Sequence, residues 1–157
     1  MPDTNRHRVL VISRDRDISN ELVTLLSGYG YFVEYCHSRM EGMRRFRAHK
    51  QSILILDMKV LRLFPKRLFR LIQSIRKNTI VLIAASKKEE VEARDRVSMG
   101  AYDVLNLPLK TEYLKLTLNR AMAHHRLTLE NIFVKNMVFF GLLTFPIWAC
   151  LAYLVVK

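Results

Sequence analysis

Twenty consecutive residues, Met137 to Val156 (MVFFGLLTFPIWACLAYLVV), carry no charge. A helix of that length rises about 30 Å, the thickness of one bilayer core. The sequence therefore predicts a single transmembrane helix over 137–156. A helix buried in a soluble core usually keeps a polar stripe, whereas here only Thr144 and the Tyr153 hydroxyl interrupt the apolar surface. Pro146 removes one backbone donor in mid-helix, a loss that membrane helices tolerate better than soluble ones. Gly141, Thr144, Ala149 and Ala152 fall within a roughly 140° arc at about 100° per residue, a small-residue stripe suited to packing on another membrane helix.

The rest of the 157 residues is expected to form one soluble domain, 1–126, followed by a helical connector, 127–136. The opening MPDTNRHRVLVI has no long apolar run before a small-residue cleavage site, so no secretory signal is expected. Cys36 and Cys150, the two cysteines, lie in the soluble and apolar parts respectively, which excludes a disulfide framework and a cysteine metal cluster. Net charge is +12, and its location is uneven. Arg39 to Lys77 holds twelve Lys and Arg against two acids, while 1–38 and 78–134 together balance at twelve of each. Lys135 and Lys157 bracket the apolar run. Because the basic excess lies on its amino-terminal side, the positive-inside rule places the soluble domain in the cytoplasm, with almost no chain across the membrane.

Val9 to Ile12 (VLVI), Ile53 to Leu56 (ILIL) and Ile80 to Ile83 (IVLI) are short, continuous and rich in β-branched residues. Strands buried on both faces of a parallel sheet have this character. Tyr31 to Tyr35 and Tyr102 to Leu105 are weaker strand candidates. Helices are expected over Ile18–Ser27, Arg39–His49, Lys66–Lys77 and Lys88–Met99, with Gly28 and Gly100 as stops. Ser38 and Glu41 have capping-box spacing, and Met40, Met43 and Phe46 have the spacing of a core-facing stripe. A last helix begins near Thr111 and meets no Gly or Pro before Gly141. Five β-α repeats with right-handed crossovers put helices on both sheet faces, an α/β doubly wound five-stranded parallel sheet whose fifth helix extends into the membrane.

RVLVISRDRDI, ILILDMK, TIVLIAAS and GAYDVLNLPL resemble, in order and spacing, the response regulator receiver domain of bacterial two-component systems, over residues 6 to about 126. The resemblance implies a flavodoxin-like sheet of order 2-1-3-4-5, with the site at the carboxyl ends of the strands. It also implies an aspartate that accepts a phosphoryl group, an acid pair that holds Mg²⁺, a hydroxyl and a lysine that bind phosphoryl oxygens, and an aromatic that reports the modified state. Asp57 matches the acceptor. The acid pair is replaced by Ser13 and Arg14, the hydroxyl by Ala84, the aromatic by Val104 and the lysine by Leu107, while Pro108 matches the proline that follows a cis peptide in this family. Asp15 and Asp17 are the acids that a shifted loop could offer instead. Arg14, in the loop opposite Asp57, is expected to place its guanidinium where Mg²⁺ would sit and to form a fixed pair with that carboxylate.

The sequence thus predicts no catalysis and no cofactor. His124 and His125 point about 100° apart on a helix and cannot chelate one metal together. Arg6, Arg8, His49, Lys50, Arg76, Lys77 and Arg126 are expected at the sheet edge opposite Asp57, toward anionic lipid head groups. Arg39, Arg44, Arg45, Arg47, Lys59, Arg62, Lys66, Arg67 and Arg70, along the second and third helices and the loop between, add a basic surface too large for lipid alone, which suggests an acidic protein partner. Nucleic acid is disfavoured, because no reading helix accompanies the basic stripe. The expected role is a membrane-anchored pseudo-receiver on the bacterial inner membrane, an interaction module or an accessory subunit of a membrane complex. The alternative is a working receiver that takes a phosphoryl group on Asp57.

Overall fold

The computed structural model describes residues 8–49 and 51–123. The order of elements is β1 (Arg8–Ile12), α1 (Arg16–Gly28), β2 (Phe32–Cys36), α2 (Arg39–His49), β3 (Ile53–Asp57), α3 (Met58–Leu61), α4 (Pro65–Ile75), β4 (Ile80–Ser86), a 3-10 turn (Lys87–Glu89), α5 (Glu90–Val97) and β5 (Asp103–Leu107). A final helix, α6, occupies 111–123. The chain divides into a compact unit, Met1–Asn119, and a second, Arg120–Lys157. The expected connector and membrane helix, with Gly141, Thr144, Ala149 and Ala152, lie outside the described residues. Among the described residues no helix is long and apolar enough to cross a membrane.

The five strands form one parallel sheet of order β2-β1-β3-β4-β5. The three apolar runs are its central strands, and β3 is buried at every position. Their continuous hydrophobicity follows from being covered on both faces. The edge strand β2 leaves Phe32 and Tyr35 exposed, which is why its pattern is weaker. Alternate side chains divide the core. Leu10, Ile12, Leu54, Leu56, Val81 and Ile83 join Phe46, Phe69 and Ile72 of α2 and α4 in one cluster. Val9, Val11, Ile53 and Ile55 point the other way, where Leu22 and Leu26 of α1 and Leu114 and Leu118 of α6 are also buried. Each fully buried aliphatic side chain contributes about 1.5–3 kcal/mol.

Gly42 sets how closely α2 approaches the sheet, since a Cβ there would stand 2.3 Å from Ile12 Cδ1. Two local expectations fail on α2. Met43 and Phe46 are buried but Met40 is 85% exposed, because successive steps of three residues rotate about 60° backwards and carry position 40 off the buried stripe. Ser38 and Glu41 do not form the capping box, since the Glu41 carboxylate is taken by Arg45 one turn on. The box spacing is realised instead at Ser86 and Glu89, where Glu89 Oε2 accepts from Ser86 N at 3.2 Å and from Ser86 Oγ at 2.7 Å. The one-turn α3 directly after β3 was not expected, and it matters for the site.

Candidate functional site

The carboxyl ends of β1, β3 and β4 meet beside Asp57, the last residue of β3, which is 3% exposed. In register Asp57 faces Ala84 of β4, so a methyl group stands across from the carboxylate. The nearest hydroxyl along that strand, Ser86, is held by Glu89. Leu107 pairs in register with Ser86 and adds a hydrocarbon side chain at this edge. Val104 is buried in the core. The Leu107–Pro108 peptide is cis.

Both Asp57 oxygens have donors. Oδ1 accepts from Lys59 N at 3.2 Å, which caps the one-turn α3, and Oδ2 accepts from Ser13 Oγ at 3.1 Å. Ser13 Oγ also lies 3.2 Å from the Asp15 carbonyl. Its single proton favours the carboxylate, the stronger, charged acceptor. Ser13 is itself 1% exposed and accepts from Asp15 N at 3.0 Å. His37 Nδ1 sits 3.1 Å from the Ser13 carbonyl and closes the β1 side.

The expected Arg14 pair does not form. Arg14 is exposed, and no ion pair joins it to Asp57. Successive side chains leaving a strand point to opposite sides, so with Ser13 turned inward Arg14 is turned out. The cation near the site is Lys59, whose Nζ lies 3.2 Å from Asp15 Oδ2. Lys59 was expected on the basic partner surface rather than at the site; its place two residues after a strand-ending aspartate was the available signal. Its hydrogen bond, aided by the Asp17 N–H, holds the Asp15 carboxyl below its ordinary pKa against some desolvation. Asp15 Oδ1 accepts from Asp17 N at 3.1 Å and caps α1. Asp17 is exposed in the first turn of α1 and does not reach Asp57.

This donor set does not suit Mg²⁺, which takes near-octahedral oxygen ligands. Asp57 is one buried carboxylate with both oxygens bonded, Asp15 is held by an ammonium, and a serine stands where an acid is needed. Among the described residues no group of three His, Cys, Asp or Glu side chains is placed to hold a metal.

The basic residues are dispersed. Arg44 and Arg47 are exposed on α2, and Arg45 is bound to Glu41 and the Tyr35 carbonyl. Lys66, Arg67 and Arg70 are exposed on α4, Lys77 is exposed after it and Arg76 is half-buried. His49 is not free for lipid, since its Nδ1 lies 3.1 Å from both oxygens of Glu34. Lys50, Arg6, His124, His125 and Arg126 lie outside the described residues.

No family model matches the chain. It is similar to the transcriptional regulatory protein ZraR of Klebsiella oxytoca, 27% identical over 120 residues, 76% of this chain and 27% of that protein. It is also similar to the response regulator MprA of Mycobacterium ulcerans, 28% identical over 107 residues, 68% of this chain and 46% of that protein. The chain thus spans between about a quarter and a half of these relatives' length. Among solved structures it matches a response regulator receiver domain protein of Clostridium thermocellum at 26% identity and TM-score 0.69, covering 77% of this chain and 98% of that one. NtrX of Brucella abortus, solved with ADP, matches at 22% identity and TM-score 0.72 over 78% of this chain and 28% of that one. With strand order β2-β1-β3-β4-β5 and these structural matches, the fold of this chain is that of a response regulator receiver domain.

Proposed function

We propose that this chain is a pseudo-receiver, a receiver fold that serves as a protein interaction module without accepting phosphoryl groups. The observation that carries this is the Asp57 carboxylate held by Ser13 Oγ and Lys59 N, with the Lys59 ammonium bound to Asp15. Phosphoryl transfer needs its negative charge neutralised by metal and cations as it passes. Ser13, Ala84 and Leu107 supply none of that. The uncharged run 137–156 supports tethering to the bacterial inner membrane, with the receiver unit on the cytoplasmic side, as one subunit of a membrane assembly.

The purified full chain, incubated with acetyl phosphate and Mg²⁺, is expected to show no phosphoryl adduct by intact-mass spectrometry. Stoichiometric modification at Asp57 would overturn the reading. A second reading keeps Asp57 as a working acceptor, favoured by its position at the carboxyl end of the central strand β3; the same incubation decides between them. Membrane tethering is tested by fractionation. Ile147→Arg places a charge at mid-span, at a cost of about 2.5–3.5 kcal/mol, and is expected to lower the membrane-bound share relative to the unaltered chain; an unchanged share would remove the anchor.

A further inference from the structure

Phe64 breaks three local rules at once. It has φ 50° and ψ 54°, left-handed backbone that a bulky residue rarely adopts. It occupies the N-cap of α4, where Ser, Thr, Asp, Asn or Gly are preferred, and makes no side-chain cap bond. The residue is 71% exposed, so the fold gains little burial in return. Strain kept without a visible internal gain is the mark of a surface shaped for something else.

The surroundings say what that is. Leu63 is 66% exposed beside Phe64. The Arg39 guanidinium donates to the Leu63 carbonyl, which brings the exposed Met40 to the same end of the fold. Burial first, then the like charge of Arg67, lowers the Arg39 pKa, so two guanidiniums share this small area. Among the described residues neither has a carboxylate within 4.0 Å, and nor does Lys66. From residue 58 to 88 the sequence has nine Lys and Arg and no acid. Cations in the first turn of α4 are also disfavoured by the helix dipole, and no acid offsets them there.

We propose that Met40, Leu63 and Phe64, with Arg39 and Arg67, form a docking patch for an acidic segment of a partner protein that offers paired carboxylates and at least one apolar side chain. This rests on the interaction-module reading and gives that module a location and a partner chemistry. A guanidinium fixed by the Leu63 carbonyl suits the planar geometry of a carboxylate. A lipid surface asks for mobile cations, whereas the Arg39 guanidinium is held in one place by the Leu63 carbonyl.

The test uses the full chain in phosphatidylcholine nanodiscs, with empty nanodiscs as blank. The probe is a fluorescent synthetic peptide of glutamate, leucine and phenylalanine, set against oligoglutamate of equal charge and phosphatidylglycerol vesicles. Phe64→Gly removes the ring while relieving the backbone, because glycine accepts positive φ. It is expected to weaken peptide binding at least tenfold with an unchanged or higher Tm. Arg67→Glu is expected to weaken it at least tenfold, and Lys77→Glu, after the far end of α4, by less than twofold. Equal affinity for oligoglutamate, equal effects of Arg67→Glu and Lys77→Glu, or capture of the anionic vesicles without the peptide would each overturn the patch. Phosphorylation of Asp57 would overturn the pseudo-receiver reading instead, so the two failures are distinguishable.

Discussion

Ser13 Oγ donates to Asp57 Oδ2 at 3.1 Å, joining the ends of two neighbouring parallel strands. Both residues are almost fully buried. A carboxylate in that setting needs its donors, because an unmade hydrogen bond to a buried charge costs more than a made one contributes. Ser13→Ala is therefore expected to lower stability by about 1–3 kcal/mol, measured by denaturant unfolding in detergent. An unchanged midpoint would show that the hydroxyl is dispensable.

Two features of the site do not suit Mg²⁺, and mutation can reverse both. Ser13→Asp restores one acid, and Lys59→Ala frees Asp15 from its ammonium. The double variant is expected to bind Mg²⁺ measurably in isothermal titration, and the unaltered chain is expected to give no binding heat. Equal heats from both would remove these residues as the cause.

The Asp15–Lys59 pair carries a pH signature. Its carboxyl is depressed in the folded state from an ordinary value near 3.8, mainly by the Lys59 hydrogen bond. The unfolded chain then takes up that proton first as pH falls. The pair's contribution is present above that ordinary value and is lost as pH drops through the lower folded one. Since both side chains are partly exposed, the contribution is below about 1 kcal/mol. Lys59→Met should return the Asp15 pKa toward its ordinary value by NMR titration; no movement would show that Lys59 does not hold it.

Gly42 lies where α2 presses on β1. Gly→Ala gains about 1 kcal/mol of helix propensity, but the new Cβ meets Ile12 Cδ1 at 2.3 Å and Cγ1 at 2.7 Å. Overpacking of this kind costs about 1–3 kcal/mol, so Gly42→Ala is expected to lower Tm. Adding Ile12→Val, which deletes the nearer atom, is expected to recover part of the loss. A raised Tm in the single variant would mean that α2 can move away freely.

Residues that act through local pattern were readable in advance. VLVI, ILIL and IVLI became β1, β3 and β4, and the bounds expected for α2, Arg39–His49, are those observed. The misplaced details depended on phase and direction. Met40 shares the spacing of Met43 and Phe46 yet faces solvent, and Glu41 preferred Arg45 one turn along to Ser38 behind it. At the site, the place of Asp57 at the end of β3, with Ala84 across from it, was legible from the sequence. That Ser13 rather than Arg14 would meet Asp57 was not, because adjacent residues at a strand end differ only in which way they point.

By itself, the sequence determined the central strands, the parallel sheet and the uncharged run 137–156, since each depends on hydrophobicity and period within a short stretch. Only the tertiary structure decided what surrounds Asp57 and what α4 presents to solvent. Ser13 meets Asp57, and Lys59 meets Asp15, across 44 residues of chain in each case. The left-handed turn at Phe64 joins α3 to α4 in a segment whose path is set by what both helices bury. Such contacts follow from where folding brings distant segments together, and no local window holds both partners.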